Sequence, residues 1–282
     1  MLPTWESFEE KSRMADGRIV LVTGATDGIG LRTALDIART GARLVVHGRS
    51  PARVDKARKT IEEAGGRAEG ITFDFASLAS VRQGAEELAR RFPRLDVLVN
   101  NAGVYMNERV VTEDGQETTF QVNHLGPFLL TNLLLKGTLT GPGARIINVS
   151  SIAHSRGRMS FEDPQLARGF SPYGAYAQSK LANILFTFEL AERLPAEQAT
   201  VNCLHPGVVS TKLLTEGFGM QGNDTVEEAA ATSVYLATSP EVEGVTGRYF
   251  VRQREASPAP QAQDTGARRR LWELSEQLCS LR

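Results

Sequence analysis

The stretch TGATDGIG, residues 23–30, decides the fold of this chain. It follows the compact apolar run RIVLVT (18–23), and apolar residues at helical spacing come directly after it. A strand, a glycine-rich turn and a helix in this order are typical of dinucleotide-binding folds, although the spacing here is G-x-x-x-G-x-G rather than G-x-G-x-x-G. Gly24 permits a tight turn, and Gly28 and Gly30 leave room for a pyrophosphate at the helix N-terminus, where free N–H groups favour an anion. A purely structural turn is the alternative.

The rest of the chain continues this alternation of strand-like and helix-like segments. Six further compact runs predict strands: ARLVVHG (42–48), RAEGITF (67–73), LDVLVN (95–100), RIINVS (145–150), TVNCLHPG (200–207) and GRYFVR (247–252). Helical patterns lie between them, one of them around 117–136. This order predicts an α/β fold with a doubly wound parallel sheet and helices on both faces.

No boundary divides the chain into two domains. We predict an N-terminal arm over 1–16 and one Rossmann-type catalytic domain over 17–256. A Pro/Ala/Gln-rich linker and a short amphipathic helix then occupy 257–282, and we expect this helix to pack on the domain.

The charge balance gives no sign of a nucleic-acid partner or an anionic membrane. Lys+Arg is 32 and Asp+Glu is 33, so the formal net charge is −1. The N-terminus lacks the pattern of a secretory signal, and the stretch FLLTNLLLKGTL (128–139) is shorter than the roughly 20 apolar residues that span a bilayer. We therefore expect no membrane anchor and a cytoplasmic location.

The cysteines and histidines do not form a recognisable metal motif. Cys203 and Cys279 make no CxxC pair, which favours a reducing compartment. The four histidines, at positions 47, 124, 154 and 205, lack metal-ligand spacing, so no metal site is predicted.

The end of the second predicted strand indicates which dinucleotide binds. NAD-binding folds usually place an acidic residue there, about 20 residues past the first glycine, on the ribose 2′-hydroxyl. This chain has Arg49 instead, and a guanidinium can bind a 2′-phosphate through two hydrogen bonds. The pattern favours NADP(H) over NAD(H), although Asp27 places a negative charge in the nearby glycine turn.

Several short motifs occur in a characteristic order along the chain. After the glycine turn come Asp74, NNAG (100–103), Asn123 in QVNHLGPF, NVSS (148–151), Tyr176-Ala-Gln-Ser-Lys180 and HPGVVST (205–211). Together they resemble the short-chain dehydrogenase/reductase family. YAQSKLANILFTFELAERL (176–194) and RRLWELSEQL (269–278) are similar to its retinol-dehydrogenase-like and WW-domain-oxidoreductase-like branch. The resemblance covers residues 17–280.

The resemblance implies a seven-stranded parallel Rossmann-type sheet and an activity that interconverts an alcohol and a ketone or aldehyde with NAD(P)(H). It implies a catalytic tetrad of Asn123, Ser151, Tyr176 and Lys180, of which Ser151 and Tyr176 would also bind substrate. It further implies a homodimer or homotetramer. The cofactor-binding positions would include Tyr176 and Lys180 together with Gly24, Thr26, Asp27, Gly28, Ile29, Gly30, Arg49, Asp74, Phe75, Asn101, Ala102, Gly103, Pro206, Gly207, Val209 and Thr211.

The tyrosine–lysine spacing suits acid–base chemistry. A free tyrosine has a pKa of about 10 and is a poor base at neutral pH, but a nearby cation lowers that pKa. Lys180 lies one helical turn after Tyr176, so we predict that it lowers the pKa of Tyr176. Tyr173 is two turns from Lys180, about 10.5 Å along the axis, and is assigned to packing or to the rim of the pocket.

Two catalytic assignments need more than spacing. Spacing does not separate Ser150 from Ser151, and family alignment selects Ser151, which would hydrogen-bond the substrate oxygen. Asn123 would link Lys180 to bulk solvent through water, or else be a helix kink or a satisfied buried polar group.

Two segments, 152–172 and 208–224, are expected to choose the substrate. The second contains four apolar side chains among glycines, which suggests a mobile lid and a hydrophobic small-molecule substrate: Leu213, Leu214, Phe218 and Met220. The same side chains could instead form subunit contacts.

Other functions fit the sequence less well. A serine hydrolase that used His154 as its base would need a G-x-S-x-G elbow, and Ser151 has none. His205 is interpreted as a packing residue. A non-catalytic NADP(H)-binding sensor or scaffold of the same fold remains the main alternative.

Overall fold

The computed structural model describes residues 17–195, 197–210, 215, 217, 219 and 221–281. The N-terminal arm, Thr211 and the four apolar residues of the predicted lid lie outside this described part. The elements follow one another as β1 (Ile19–Val22), α1 (Gly28–Ala38), β2 (Arg43–Gly48), α2 (Pro51–Glu63), β3 (Arg67–Thr72), α3 (Leu78–Arg91), β4 (Val97–Asn100), α4 (Thr118–Phe120), a π-helical turn (Gln121–Leu125), α5 (Gly126–Leu134), β5 (Arg145–Val149), a 3-10 helix (Ile152–Arg156), α6 (Pro172–Arg193), β6 (Thr200–His205), α7 (Val226–Thr238), a 3-10 helix (Pro240–Val242), β7 (Tyr249–Val251), β8 (Arg254–Ala256), a 3-10 helix (Pro260–Gln263) and α8 (Thr265–Leu278).

The strands form one sheet in the order β3-β2-β1-β4-β5-β6-β7-β8. The first seven strands in this order are parallel to one another, which confirms the predicted parallel sheet. The chain order reverses between β1 and β4, and in open α/β sheets ligands bind in the crevice beyond the carboxyl ends of the strands at such a point.

The eighth strand was not predicted. Arg254–Ala256 pairs antiparallel with β7 through a two-residue turn of Arg252 and Gln253, whose φ angles are 49° and 61°. Such turns usually carry glycine or asparagine, because those residues adopt positive φ most readily. The hairpin therefore leaves no signal in the sequence.

The core lies in two layers, one on each face of the sheet. Leu98 and Ile146 point to the layer under α3, α5, α6 and α8. Val97 and Val99 point to the layer under α1, α2 and α7. Because successive strand residues face opposite sides, apolar strands such as VLVN in β4 are buried completely. Helices on both faces are thus confirmed.

The C-terminal helix packs against the first of these layers. The ring of Trp272 lies 5.0 Å from that of Phe128, and the Arg193 guanidinium lies 4.4 Å from the Trp272 ring. The linker before it runs past the loop that follows β5, where Gln261 donates hydrogen bonds to backbone carbonyls. The predicted domain boundaries themselves stay a prediction.

Candidate active site

The carboxyl ends of the parallel strands bring the predicted residues to one edge of the sheet. The glycine turn follows β1, Asn101 follows β4, Ser151 follows β5 and Pro206 follows β6. Helix α6 begins at the predicted place. The Ser171 hydroxyl caps it by accepting from the Gly174 N–H at 3.1 Å. The helix then passes behind β5, where the Lys180 ammonium donates to the Val149 carbonyl at 3.0 Å.

The three glycines of the turn have different roles. Gly24 has a φ of +64° and Gly28 a φ of +53°, which leaves bare backbone at the start of α1. A Cβ on Gly30 would lie 2.3 Å from the Gly24 carbonyl oxygen, so only glycine lets the helix pack this closely. Tight turn, exposed backbone and close helix packing are what a pyrophosphate site requires, so these residues fit a dinucleotide. Thr26 and Ile29, both half-buried, complete the turn.

A buried histidine supports this turn, and sequence reasoning missed it. His47 Nδ1 accepts from the Gly24 N–H at 3.3 Å, and its Nε2 lies 3.0 Å from the Phe73 carbonyl. Burial lowers the pKa of His47 to about 4, so the imidazole is neutral and ties β2 to both neighbouring loops. The sequence signal that could have revealed His47 is a polar residue inside an otherwise apolar strand.

Two arginines lie near the acidic residue of the turn. Asp27 caps α1 by accepting from the Gly28 N–H at 2.9 Å, and Arg53 Nη2 lies 3.1 Å from Asp27 Oδ2. Arg49 is exposed directly after β2, as the sequence predicted. Arg53, in the first turn of α2, is a second cation near this site that sequence reasoning missed. The charge of Asp27 is therefore partnered in this structure.

The NNAG segment forms the neighbouring wall. Asn101 Nδ2 donates to the Thr23 carbonyl at 2.8 Å, and the Thr23 hydroxyl accepts from the N–H groups of Asn101 and Ala102. This segment thereby joins β4 to the glycine turn. A Cβ on Gly103 would lie 3.5 Å from Lys180 Nζ, so Gly103 borders the ammonium group.

Asp74 and Phe75 differ in how they could meet a cofactor. Asp74 is half-buried at the end of the β3 segment, and its carboxylate accepts from the Ala76 N–H at 2.9 Å. Phe75 is buried, with its ring 5.1 Å from that of His47. The Phe75 side chain therefore packs in the core, and its contact with a cofactor stays a prediction.

The segment after β6 is held by an acidic residue that the sequence did not single out. Gly207 has a φ of +110°, and the Asp224 carboxylate accepts from the Val208 N–H at 2.7 Å. Val209 is buried and pairs with Asp224 through an isolated parallel bridge. Asp224 thus closes the base of the 208–224 segment beside Pro206.

The structure separates the two candidate serines. The Ser150 hydroxyl is buried and donates to the Lys180 carbonyl at 2.7 Å, so it serves the backbone of α6. The Ser151 side chain lies close enough to Tyr176 to lower its pKa, and its hydroxyl accepts from the Ala153 N–H at 3.2 Å. Ser151 is therefore the serine that faces the tyrosine.

Tyr176 and Lys180 are both buried, and burial governs their protonation. Lys180 Nζ lies 5.6 Å from the centre of the Tyr176 ring. Burial lowers the pKa of the Lys180 ammonium to about 8. Burial also raises the pKa of Tyr176 to about 12, while the hydrogen bond from Ser151 offsets part of the rise.

The predicted lowering of the Tyr176 pKa by Lys180 is therefore wrong for the protein on its own. The ammonium donates to the Val149 carbonyl, and desolvation by burial is the largest cause of the raised Tyr176 pKa. The sequence spacing correctly predicted that the two residues lie close together. It did not predict their burial, which raises the pKa of Tyr176.

Asn123 sits in the π-helical turn, which widens the helix and points its amide at the neighbouring loop. Its Oδ1 accepts from the Val104 N–H at 2.7 Å, and its Nδ2 donates to the Val104 carbonyl and to the Ser179 hydroxyl, each at 3.0 Å. This is the satisfied buried polar group that the sequence left as an alternative. The side chain holds the loop after Gly103 against α6, and a water relay from Lys180 stays a prediction.

The rim of the site is apolar and aromatic. Ile152, directly after Ser151, is 53% exposed and Tyr173 is 38% exposed. The ring of Tyr105 lies 5.7 Å from that of Tyr176, and a Cβ on Gly217 would meet the Tyr105 ring at 2.9 Å. The exposure of Tyr173 agrees with its assignment to the rim, and Tyr105 is a rim residue that sequence reasoning missed.

None of the helices within 17–195 and 221–281 is both long and apolar enough to cross a bilayer. In the same part of the chain, no three His, Cys, Asp or Glu residues come together as a metal ion would need.

Comparison with known proteins decides the family. The family model described as short chain dehydrogenase matches residues 18–221, which include the glycine turn, Ser151, Tyr176 and Lys180. The chain belongs to the short-chain dehydrogenase family. The match covers more than half of the chain and ends inside the segment that follows β6.

Relatives place this short-chain dehydrogenase in the retinol-dehydrogenase-like branch. It is 44% identical to retinol dehydrogenase 14 of Mus musculus over 284 residues, covering 92% of this chain and 85% of that protein. It is 42% identical to the polyprenol dehydrogenase of Mus musculus over 274 residues, covering 91% of this chain and 82% of that protein.

Solved structures agree with this assignment. A crystal structure of an uncharacterised protein from Mycobacterium paratuberculosis superposes with a TM-score of 0.80 at 34% identity, covering 94% of each chain. A short chain dehydrogenase from Burkholderia cenocepacia in complex with NADP superposes with a TM-score of 0.69 at 27% identity, covering 84% of this chain and 96% of that chain. The short-chain dehydrogenase fold, with its nucleotide-binding edge, is therefore shown for this protein.

Proposed function

We propose that this short-chain dehydrogenase interconverts a hydroxyl and a carbonyl group on a hydrophobic small molecule, with NADP(H) preferred over NAD(H). The observation that carries the proposal is that Ser151, Tyr176 and Lys180 come together: Ser151 lies close enough to Tyr176 to lower its pKa, and Lys180 Nζ lies 5.6 Å from the centre of the Tyr176 ring. A protein that only bound a dinucleotide would have no use for two neighbouring hydroxyls beyond the cofactor cradle.

The residues that would hold the dinucleotide are those of the cradle. The glycine turn would bind the pyrophosphate, the NNAG segment and Asp74 would flank the adenosine side, and Pro206–Gly207 would lie at the nicotinamide end. When bound, the nicotinamide cofactor supplies or accepts a hydride and, in its oxidised form, adds a positive charge.

The chain's own groups handle the proton. In the reductive direction the neutral Tyr176 hydroxyl donates its proton to the carbonyl oxygen, and the raised pKa keeps this proton in place until it is needed. Ser151 donates a hydrogen bond to the same oxygen and stabilises the charge that develops on it. In the oxidative direction the Tyr176 oxygen takes the hydroxyl proton, and any nearby positive charge, including that of Lys180, favours this step.

The preference for NADP(H) rests on Arg49 and Arg53. Arg49 directly follows β2 and Arg53 lies in the first turn of α2, at the corner where we expect a 2′-phosphate to project. Because Arg53 partners Asp27, the acidic residue does not leave a net negative charge in this corner.

The hydrophobic substrate class rests on the rim. Ile152 and Tyr173 are exposed, and the ring of Tyr105 lies 5.7 Å from that of Tyr176. The relatives named retinol dehydrogenase and polyprenol dehydrogenase are named for apolar alcohols, which is consistent with such a rim. We also propose that the protein is cytoplasmic and works as a homodimer or homotetramer.

Turnover on a panel of apolar ketones, aldehydes and alcohols with NADPH and NADP⁺ tests the proposal. We expect activity in the wild type and its loss in Tyr176→Phe. Tight NADPH binding without oxidation on any compound of the panel would favour the non-catalytic sensor or scaffold instead.

A further inference from the structure

Two buried histidines hold the peptide bond that follows Ser151. His154 Nδ1 lies 2.7 Å from the Ser151 carbonyl oxygen. His205 Nδ1 lies 3.2 Å from the backbone nitrogen of Ile152, the next residue. Both side chains are almost fully buried, and neither is within the catalytic pair itself. The carbonyl and the N–H of the Ser151–Ile152 peptide bond are thus each hydrogen-bonded to an imidazole.

The partners of each ring fix its tautomer. His154 Nε2 lies 3.1 Å from the backbone nitrogen of Ala259 in the C-terminal linker. Because that N–H can only donate, Nε2 must carry the lone pair, and the ring proton sits on Nδ1 and is donated to the Ser151 carbonyl. His154 therefore connects the C-terminal linker to the serine.

His205 has the opposite arrangement. Its Nδ1 faces two backbone N–H groups, that of Ile152 and that of Gly207 at 3.4 Å. Nδ1 must accept, so the ring proton sits on Nε2. His205 therefore connects the serine loop to the turn after β6, which we assign to the nicotinamide end.

We propose that His154 and His205 are positioning residues for the Ser151 hydroxyl, and that His154 makes the C-terminal linker part of the scaffold of the active site. The proposal rests on the catalytic role of Ser151 given above. The Ser151 hydroxyl can meet the substrate oxygen beside Tyr176 only if the serine backbone stays in one place, and a displacement of about 1 Å at a reacting group can lower a rate by about 100-fold. Rotation of the serine loop is opposed on one side by the linker and on the other by the turn after β6.

Asparagine and glutamine variants test the role of each ring. An asparagine amide reaches the place of Nδ1, whereas a glutamine amide reaches the place of Nε2. We expect His154→Asn to keep most of kcat while the Tm falls, because the Ala259 N–H loses its acceptor. We expect His154→Gln to lower kcat by about 10- to 100-fold with little change in the KM for the cofactor.

The same pair at His205 gives an independent measurement. His205→Asn offers an amide oxygen at the place of Nδ1 and is expected to keep most of kcat, whereas His205→Gln is expected to lose it. Equal activity of the asparagine and glutamine variants at both positions would overturn the proposal, since Nδ1 contacts would then be irrelevant to the serine.

Gln261→Ala is the matched control. Its side chain donates to three backbone carbonyls of the same loop, those of Ser155 at 2.9 Å, His154 at 3.3 Å and Gly157 at 3.4 Å, so it docks the linker without replacing either imidazole contact. We expect Gln261→Ala to lower the Tm and to leave kcat in place. A fall in kcat as large as that of His154→Gln would show that docking of the linker in general, and not the imidazole, controls the serine.

A spectroscopic readout separates this proposal from the proposed function. Long-range ¹H–¹⁵N correlation of the imidazoles should show His154 as the Nδ1–H tautomer and His205 as the Nε2–H tautomer, whether or not a substrate is known. An Nε2–H tautomer or a charged ring at His154 would overturn the positioning proposal alone. Full turnover by Ser151→Ala would instead overturn the proposed function, with the tautomers unaffected.

Discussion

The guanidinium of Arg53 lies 3.1 Å from the carboxylate of Asp27, in the corner where the glycine turn meets the end of β2. Both side chains are half-exposed, so the pair contributes little to the stability of the fold. The ion pair matters for ligand binding instead, because it places a neutralised acid and a second cation next to Arg49.

This pair makes a prediction about cofactor preference. Arg53→Ala should raise the KM for NADPH by about tenfold and leave that for NADH nearly unchanged, because Asp27 would then repel a 2′-phosphate. Arg49→Ala should likewise raise the KM for NADPH and leave that for NADH nearly unchanged. Asp27→Asn combined with Arg53→Ala should recover much of the loss, and steady-state kinetics with both cofactors measures all three effects. Equal changes for NADH and NADPH would remove these arginines from the 2′-phosphate site.

The two tyrosines of α6 should differ sharply. Tyr176→Phe removes the hydroxyl that lies beside Ser151 and is expected to lower kcat by at least about 100-fold, in keeping with the loss of a general acid. Tyr173→Phe alters an exposed rim residue and should keep most activity. The reverse ranking would overturn the assignment of the catalytic tyrosine.

The two serines after β5 should separate activity from stability. Ser151→Ala should lower kcat by about 100- to 1000-fold, because a hydrogen-bond donor to the developing oxyanion is lost. Ser150→Ala leaves the Lys180 carbonyl without its partner and should lower the free energy of unfolding by about 1 kcal/mol, with activity retained. Kinetics and urea unfolding of both variants provide the comparison.

In the protein without cofactor, Lys180 should lower the free energy of unfolding. Its folded pKa of about 8 lies below the ordinary value of 10.5, so folding opposes the charged form by about 3 kcal/mol at pH 7. Lys180→Met should therefore raise the free energy of unfolding at neutral pH while it abolishes turnover.

The pH dependence of this gain has a definite sign. Between pH 8 and 10.5 the unfolded chain binds more protons at Lys180 than the folded chain, so the wild type gains stability as the pH rises. The advantage of Lys180→Met should fall to less than half by about pH 9.5. An advantage that stays constant with pH would show that burial of the ammonium is not its cause.

Much of the fold could be predicted from local pattern. The seven parallel strands and the helices between them follow from apolar runs and helical spacing, since each element must bury a defined set of side chains. The start of α6 at Ser171 and Pro172 followed in the same way from capping preferences. The β7–β8 hairpin could not be predicted, because Arg252 and Gln253 are not turn residues by type.

Only part of the candidate site could be predicted, because some of its contacts are local in the sequence and others are not. Short motifs such as the glycine turn and Tyr176–Lys180 are local, and their geometry depends on neighbours in the sequence. Arg53 with Asp27, His154 with Ala259, and Asp224 with Val208 join residues that are distant along the chain, so only the folded chain shows these pairs.

The sequence by itself determined the family, the parallel sheet and the identity of the residues at its carboxyl edge, because these depend on residue type and spacing. Only the tertiary structure decided that Ser151 and not Ser150 faces Tyr176, and that burial raises the pKa of Tyr176 despite Lys180 nearby. Burial and hydrogen-bond direction depend on every element that packs around a group, and spacing along one helix does not contain that information.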